Sequence, residues 1–195
     1  KIINEIINVD LSKVTLNDVC DIIAQISVDA GVGNNAPTVL YSGTLCGYRT
    51  NSIAKSLDDV RIIDNTDLGK FLSGSDFNEL IENAIKNDII NGTFDVSFVE
   101  KGIRYEDDLI RLNEYIDQKS LSSVELEKAV KIASEGFQYE PTKGAWAIAS
   151  EQFIKATPAD SKIICLTAEA DLTRTWAQVE IPTALKHLPD KQVFG

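Results

Sequence analysis

Histidine, cysteine and long apolar runs are the scarce features of this sequence. Its one histidine, His187, stands between Lys186 and Leu188, so a Ser-His-Asp or Cys-His mechanism would have to rest on that residue alone. The three cysteines, Cys20, Cys46 and Cys165, are odd in number, far apart and free of CxxC or CxxxH spacing, which argues against a zinc site or a disulfide framework. Cys165 lies in the apolar run Lys162-Ile163-Ile164-Cys165-Leu166, and all three thiols read as packing residues. No stretch of about 18 apolar residues occurs, and the opening Lys1-Ile2-Ile3-Asn4-Glu5 lacks the apolar region of a signal peptide. A soluble domain is expected, and a start without Met fits a piece excised from a longer chain. Basic runs are missing too: no two Lys or Arg residues are adjacent, and 19 basic against 30 acidic residues leave a net charge of −11. Such a chain repels polyphosphate at long range, so no nucleic-acid partner is expected. The acidic residues follow no EF-hand spacing and meet no His/Cys cluster, so no metal is expected.

What is present is the composition of a globular protein: 195 residues, 44% apolar and 25% charged. A chain of this length buries roughly 70% of its unfolded surface and needs no covalent staple. One core, or two sub-domains, is the expectation.

Val19, Ile22, Ile23 and Ile26 recur at helical spacing from about Leu16 to Val28, with Thr15 or Asn17 as cap. The turn-rich segment 29–37 leads to a β-type run at Thr38-Val39-Leu40-Tyr41-Ser42. Gly31 and Gly33 form only a fragment of a nucleotide loop, with neither strand before nor helix after at the required distance. Helical patterning covers 51–73 and 76–90, the latter with Phe77, Leu80, Ile81, Ala84 and Ile85 on one stripe. Phe94 to Val99 alternates like a strand and pairs, on this reading, with Gly102 to Tyr105 as a hairpin. Ser122 or Ser123, with Glu125 behind it, caps a helix running to Gly136. A further helix spans Trp146 to Lys155, followed by a buried strand at Lys162 to Thr167. Thr175 to Ile181 alternates with a period of two, which sends Ala177, Val179 and Ile181 to one face and Trp176, Gln178 and Glu180 to the other.

Two constellations carry chemistry. On a strand, Trp176 would present an indole within about 13 Å of the Glu180 carboxylate. On the preceding helix, Trp146 and Ser150 are four residues apart and share a face. Aromatic platforms beside a carboxylate suit a sugar or a base.

Read in order, Val39-Leu40-Tyr41-Ser42-Gly43-Thr44, Ile63-Asp64-Asn65-Thr66-Asp67-Leu68-Gly69, Trp146-Ala147-Ile148-Ala149-Ser150-Glu151-Gln152-Phe153 and Thr175-Trp176-Ala177-Gln178-Val179-Glu180 resemble the signature stretches of the ADP-ribosyl cyclase and cyclic ADP-ribose hydrolase family. With their flanking strands these blocks cover about half the chain. The resemblance implies an α/β fold with a helical lobe (1–37 and 60–157), a small parallel-sheet lobe (38–59 and 158–195), and a cleft between them. It implies an NAD glycohydrolase that releases nicotinamide and ADP-ribose, with cyclisation a minor outcome and NAD as substrate rather than cofactor. Glu180 would hold the ribose hydroxyls and stabilise the oxocarbenium-like state, Ser150 would lie under the anomeric carbon, and Trp146 would stack on a ring. Tyr41, Ser42, Asp64, Thr175 and Trp176 would bind substrate. The family's first-block tryptophan is matched here by Tyr41 and its acidic second-block position by Asp64, while 91–135 looks like an insertion. Bacterial members resembling this arrangement are toxin domains of larger secreted or surface-displayed competition proteins. They act in the cytoplasm of a target cell, need no membrane for the domain itself, and are blocked by an immunity protein. The competing readings are a non-enzymatic nucleotide- or partner-binding module on the same fold, a purely interaction-type domain with both indoles buried, and a glycosidase pairing Glu180 with Asp171 or Glu169.

Overall fold

Stretches of helical periodicity interrupted by short β-branched runs produce a mixed α/β protein rich in helix. The computed structural model describes residues 8–168, 171–188 and 193–194. Along the chain the elements are α1 (Leu16–Gln25), β1 (Thr38–Tyr41), β2 (Thr44–Leu45), β3 (Tyr48–Arg49), α2 (Thr50–Lys55), α3 (Asp67–Leu72), α4 (Ser75–Asn91), α5 (Glu106–Asp117), α6 (Ser123–Tyr139), α7 (Ala145–Lys155), β4 (Ile163–Leu166), α8 (Ile181–His187) and β5 (Val193–Phe194). They fall into two compact units, residues 1–25 with 72–145 and residues 26–71 with 146–195. Residues 26–37, 60–71 and 146–157, expected with the helical lobe, thus belong to the unit that carries the parallel sheet.

The first unit is helical. Helix α1 buries Val19, Ile22 and Ile23. Its start is fixed by Thr15 and Asp18, each accepting the other's backbone N–H, and by buried Asp88, which accepts the Leu16 N–H at 2.9 Å. Helix α4 places Phe77, Leu80, Ile81, Ala84 and Ile85 inward as its stripe dictates, and ends at Gly92 with φ 69°. Ser122 and Glu125 form the reciprocal cap of α6. That helix runs to Tyr139 rather than stopping at Gly136, whose glycine serves packing instead: a Cβ there would meet the Val99 carbonyl oxygen at 2.7 Å.

No hairpin forms at 94–105. Asp95 accepts the Ser97 N–H at 2.9 Å, opening a 3₁₀ turn at Val96–Phe98 that is followed by a second at Glu100–Gly102. The side chain thus offers the backbone a turn in place of a ladder. Gly102 lets that second turn touch α6, since a Cβ would fall on the Gly136 carbonyl oxygen. Helix α5, which the apolar spacing does not announce, buries only Leu112 completely. Beyond α6, the buried Glu140 carboxylate accepts the N–H groups of Thr142, Lys143 and Gly144 and so closes the turn into α7.

The second unit is built on a parallel sheet of order β1-β4-β5. Thr38 pairs with Ile163 and Tyr41 with Leu166, and Ile163 with Val193. Val39, Ala54, Val60 and Ile62 form a buried cluster against which Tyr41, Ile164 and Leu166 pack. Buried Arg61 lies 3.8 Å from the centre of the Phe153 ring and donates to the Phe153 carbonyl at 2.6 Å and to Thr157 Oγ1 at 3.1 Å, holding α7 to the strand side. Burial pushes its guanidinium down to about 10, still charged at neutral pH. Strands β2 and β3 pair as a hairpin through Cys46 and Gly47, both left-handed with φ of 52° and 80°. Cys46 is therefore an exposed turn residue and not a packing thiol; Cys165 is buried and Cys20 half-buried.

The segment expected as a strand at 175–181 is a helix. Trp176–Glu180 forms a π-helical turn that runs directly into α8, with the Ile181 N–H donating to the Trp176 carbonyl. Pro182 supplies the reason: in a regular α-helix its ring would clash with the carbonyl of Gln178, four residues back, and it has no N–H to bond there. A widened turn relieves both problems.

Candidate functional site

Parallel strands end on the same side, so the register Tyr41 to Leu166 puts the carboxyl ends of β1 and β4 together. In open α/β sheets that edge is where ligands bind. Ser42 follows β1 there, half-buried, with its N–H on the Leu166 carbonyl at 3.2 Å, and Thr167 follows β4. The π-turn packs against β1.

The centre of the site is a hydrogen bond spanning 30 residues of sequence: Ser150 Oγ donates to Glu180 Oε1 at 2.8 Å. Ser150 is brought there by the buried face of α7, where it is 4% exposed. The π-turn brings Glu180. Its second oxygen, Oε2, is out of contact with solvent and has no partner among the described residues. Burial pushes the Glu180 carboxyl up to about 7, with the Ser150 hydroxyl pulling the other way. Two further buried polar atoms lack partners among the described residues, Trp176 Nε1 and Thr167 Oγ1. Orphaned buried polar atoms are rare in folded proteins, and all three of these lie in the sheet-bearing unit. Cys165, on β4 two residues before Thr167, is pushed up to about 11 by burial and by the Glu180 charge.

A second pair lies at the end of β1. Tyr41 Oη donates to Asp64 Oδ2, and Lys55 Nζ is 3.0 Å from Asp64 Oδ1. Asp64 sits in the 3₁₀ turn Ile63–Asn65, and burial raises its carboxyl above the usual range. Behind it Gly69 allows α3 to approach, because a Cβ would fall on the Ile63 carbonyl oxygen.

The structure therefore joins Ser150 with Glu180 and Tyr41 with Asp64, keeps Trp146 one turn before Ser150 on α7, and puts Thr175 and Trp176 in the helical segment that carries Glu180. The indole and carboxylate do not stand on a strand face: four residues apart on a helical turn, they lie far closer along the chain than the expected 13 Å. Trp176 and Trp146 are both half-buried, so the reading with two fully shielded indoles does not hold. Asp171 is exposed and occupied by Thr173 and Arg174, with its carboxyl lowered first by the Thr173 hydroxyl; it is no partner for Glu180. Glu169 lies outside the described residues. His187 is exposed on the last turn of α8. Thr167 and Lys55 are the additions. Thr167 was signalled by a polar residue closing a buried parallel strand, whereas nothing local marks Lys55. No group of His, Cys, Asp and Glu able to hold a metal ion occurs among the described residues, and no helix among them is long and apolar enough to cross a membrane.

No known protein family, curated protein or solved structure matches this chain. Its chemistry has to be argued from the site itself.

Proposed function

We propose that the chain is an NAD glycohydrolase, splitting the bond between nicotinamide and ribose with water to give nicotinamide, ADP-ribose and a proton. The observation that carries this reading is Glu180: a buried carboxylate, oriented through one oxygen by Ser150, whose other oxygen has no hydrogen-bond partner among the described residues. Loss of nicotinamide leaves positive charge on the anomeric carbon and ring oxygen. A carboxylate fixed in a low-dielectric site stabilises that charge without having to reorganise. While donating to Glu180, Ser150 keeps lone pairs for the electron-poor carbon. Trp146, one turn away, offers a ring for stacking on nicotinamide. Tyr41 and Asp64, tied to each other, with Ser42, Thr175 and Trp176, bind the rest of the nucleotide through neutral donors and one acidic group, so the net charge of −11 does not forbid an anionic substrate. Water is the main acceptor and cyclic ADP-ribose a minor product. On the same reading the domain is the toxin part of a bacterial competition protein, acting in a target cell's cytoplasm and held in check by an immunity protein.

The test is chromatographic separation of nicotinamide, ADP-ribose and cyclic ADP-ribose after incubation of the chain with NAD, beside Glu180→Gln. The expected outcome is release of nicotinamide that falls by about 100-fold or more in the variant. Intact NAD with the unaltered chain, or cleavage by Glu180→Gln within about tenfold of it, removes the reading in favour of a binding module.

A further inference from the structure

The helical unit carries a groove that the reading above does not use. A cavity of about 260 Å³ opens between α5 and α6, lined by Arg104, Arg111, Lys128 and Lys131 with Asp108 and Glu135. Four cations against two carboxylates give its wall a charge of +2 in a chain of −11. These cations are poorly neutralised. Arg111 reaches Asp108 only at 3.9 Å. Lys131 has a glutamate four residues away on either side, Glu127 and Glu135, yet pairs with neither among the described residues. Arg104 also has no ion pair among them and lies 5.3 Å from the centre of the Tyr105 ring. Lys128 and Lys131 stand one turn apart on α6, so both ammonium groups reach one side of the cavity. Ile103, Ile132 and Tyr105 complete the lining. Tyr105 is 59% exposed, a large aromatic surface left to solvent beside a cationic one.

We propose that this groove binds a small organic phosphate, its phosphate oxygens on Lys128, Lys131 and Arg111 and its ring against Tyr105 and the two isoleucines. At about 260 Å³ the cavity falls just below the roughly 300–1,000 Å³ of pockets that enclose drug-sized ligands, so it takes part of one small phosphorylated molecule, with the remainder over exposed Tyr105. Exposed ammonium and guanidinium groups whose acidic neighbours hold them loosely gain charge-assisted hydrogen bonds from a phosphate. The Tyr105 ring, with Arg104 over it, gives a flat base a surface to stack on.

The experiment is isothermal titration of the full chain, at low ionic strength, with inorganic pyrophosphate and with adenosine monophosphate. Its companion is the charge-reversed variant Lys128→Glu/Lys131→Glu, with folding checked by thermal melting. Saturable binding of both probes is expected, with affinity falling by about 100-fold in the variant as two charge-assisted contacts of about tenfold each are lost. Tyr105→Ala is expected to weaken adenosine monophosphate about tenfold and leave pyrophosphate unchanged. Nicotinamide release from NAD should be unaltered in both variants, because the groove residues belong to the helical unit and Glu180 to the sheet-bearing one. Absence of saturable binding, or equal affinity for the unaltered and charge-reversed chains, overturns the proposal. Should Lys128→Glu/Lys131→Glu fail to fold, Arg111→Ala/Lys131→Ala serves the same comparison.

Discussion

At the residue scale Glu180 links stability to the proposed chemistry. Its carboxyl sits near 7 in the folded chain against an ordinary 4.5, so the folded state holds the proton more tightly than the unfolded one. That preference stabilises the fold below pH about 4.5 and is lost as pH rises through about 7. Glu180→Gln should therefore melt higher than the unaltered chain at pH 8, by on the order of 1–3 kcal/mol, and equally at pH 4; melting curves across that range check it. A structural glutamate would show the opposite, with loss at every pH. The proposed glycohydrolase reaction needs the charged form, so on that proposal turnover of NAD should rise with pH through an apparent pKa near 7. Ser150 favours the charged form by donating to it. Ser150→Ala is accordingly expected to move the midpoint of the pH profile upward and cut the rate by about 10- to 100-fold, read from kcat at several pH values.

At the scale of elements the π-turn matters most. Thr175 to Ile181 satisfies a period of two over seven residues, and a window that short does not separate strand from helix. The decisive residue is Pro182, one position past the window, which both breaks a strand ladder and widens a helix. Pro182→Ala removes the clash with the Gln178 carbonyl and lets the turn tighten to a regular α-helix. The expected result is a melting temperature unchanged or higher, with a drop in NAD turnover of about tenfold or more as Glu180 rotates away from Ser150. Unaltered turnover would mean that the wide turn plays no part in positioning the carboxylate. The stripes of α1, α4 and α7, by contrast, were legible because each has one buried face at regular spacing and a cap or stop at hand. Helix α5 escaped notice because a single fully buried leucine makes no stripe.

For the whole molecule charge is the dominant variable. With −11 spread over 195 residues, self-repulsion opposes the compact state, and salt screens it. The melting temperature should climb between low and about physiological ionic strength, whereas binding at the α5–α6 groove should weaken over the same interval; scanning calorimetry and titration at matched salt separate the two. A melting temperature insensitive to salt would indicate that repulsion is already offset locally. The division into two units also follows from topology: the chain leaves the sheet-bearing unit after residue 71 and re-enters it at 146. Residues 72–145 thus form one continuous helical excursion, longer than the 91–135 segment that stood out by pattern.

Local chemistry alone settled much of this protein: the helical stripes, the cap positions to within a residue or two, the two short strands at Thr38 and Ile163, and the placing of Trp146 and Ser150 one turn apart on one helix. Each depends on residues within a few positions of one another, where periodicity and side-chain hydrogen bonding act directly. What only the tertiary structure decided are the meetings across long sequence separations. Ser150 reaches Glu180 over 30 residues, Tyr41 reaches Asp64 over 23, and the lysines of α6 converge with Arg104 and Arg111 on one groove. The conversion of the Glu180 carboxyl into a group titrating near 7 belongs with them, because burial is a property of the packed chain and no spacing along the sequence encodes it.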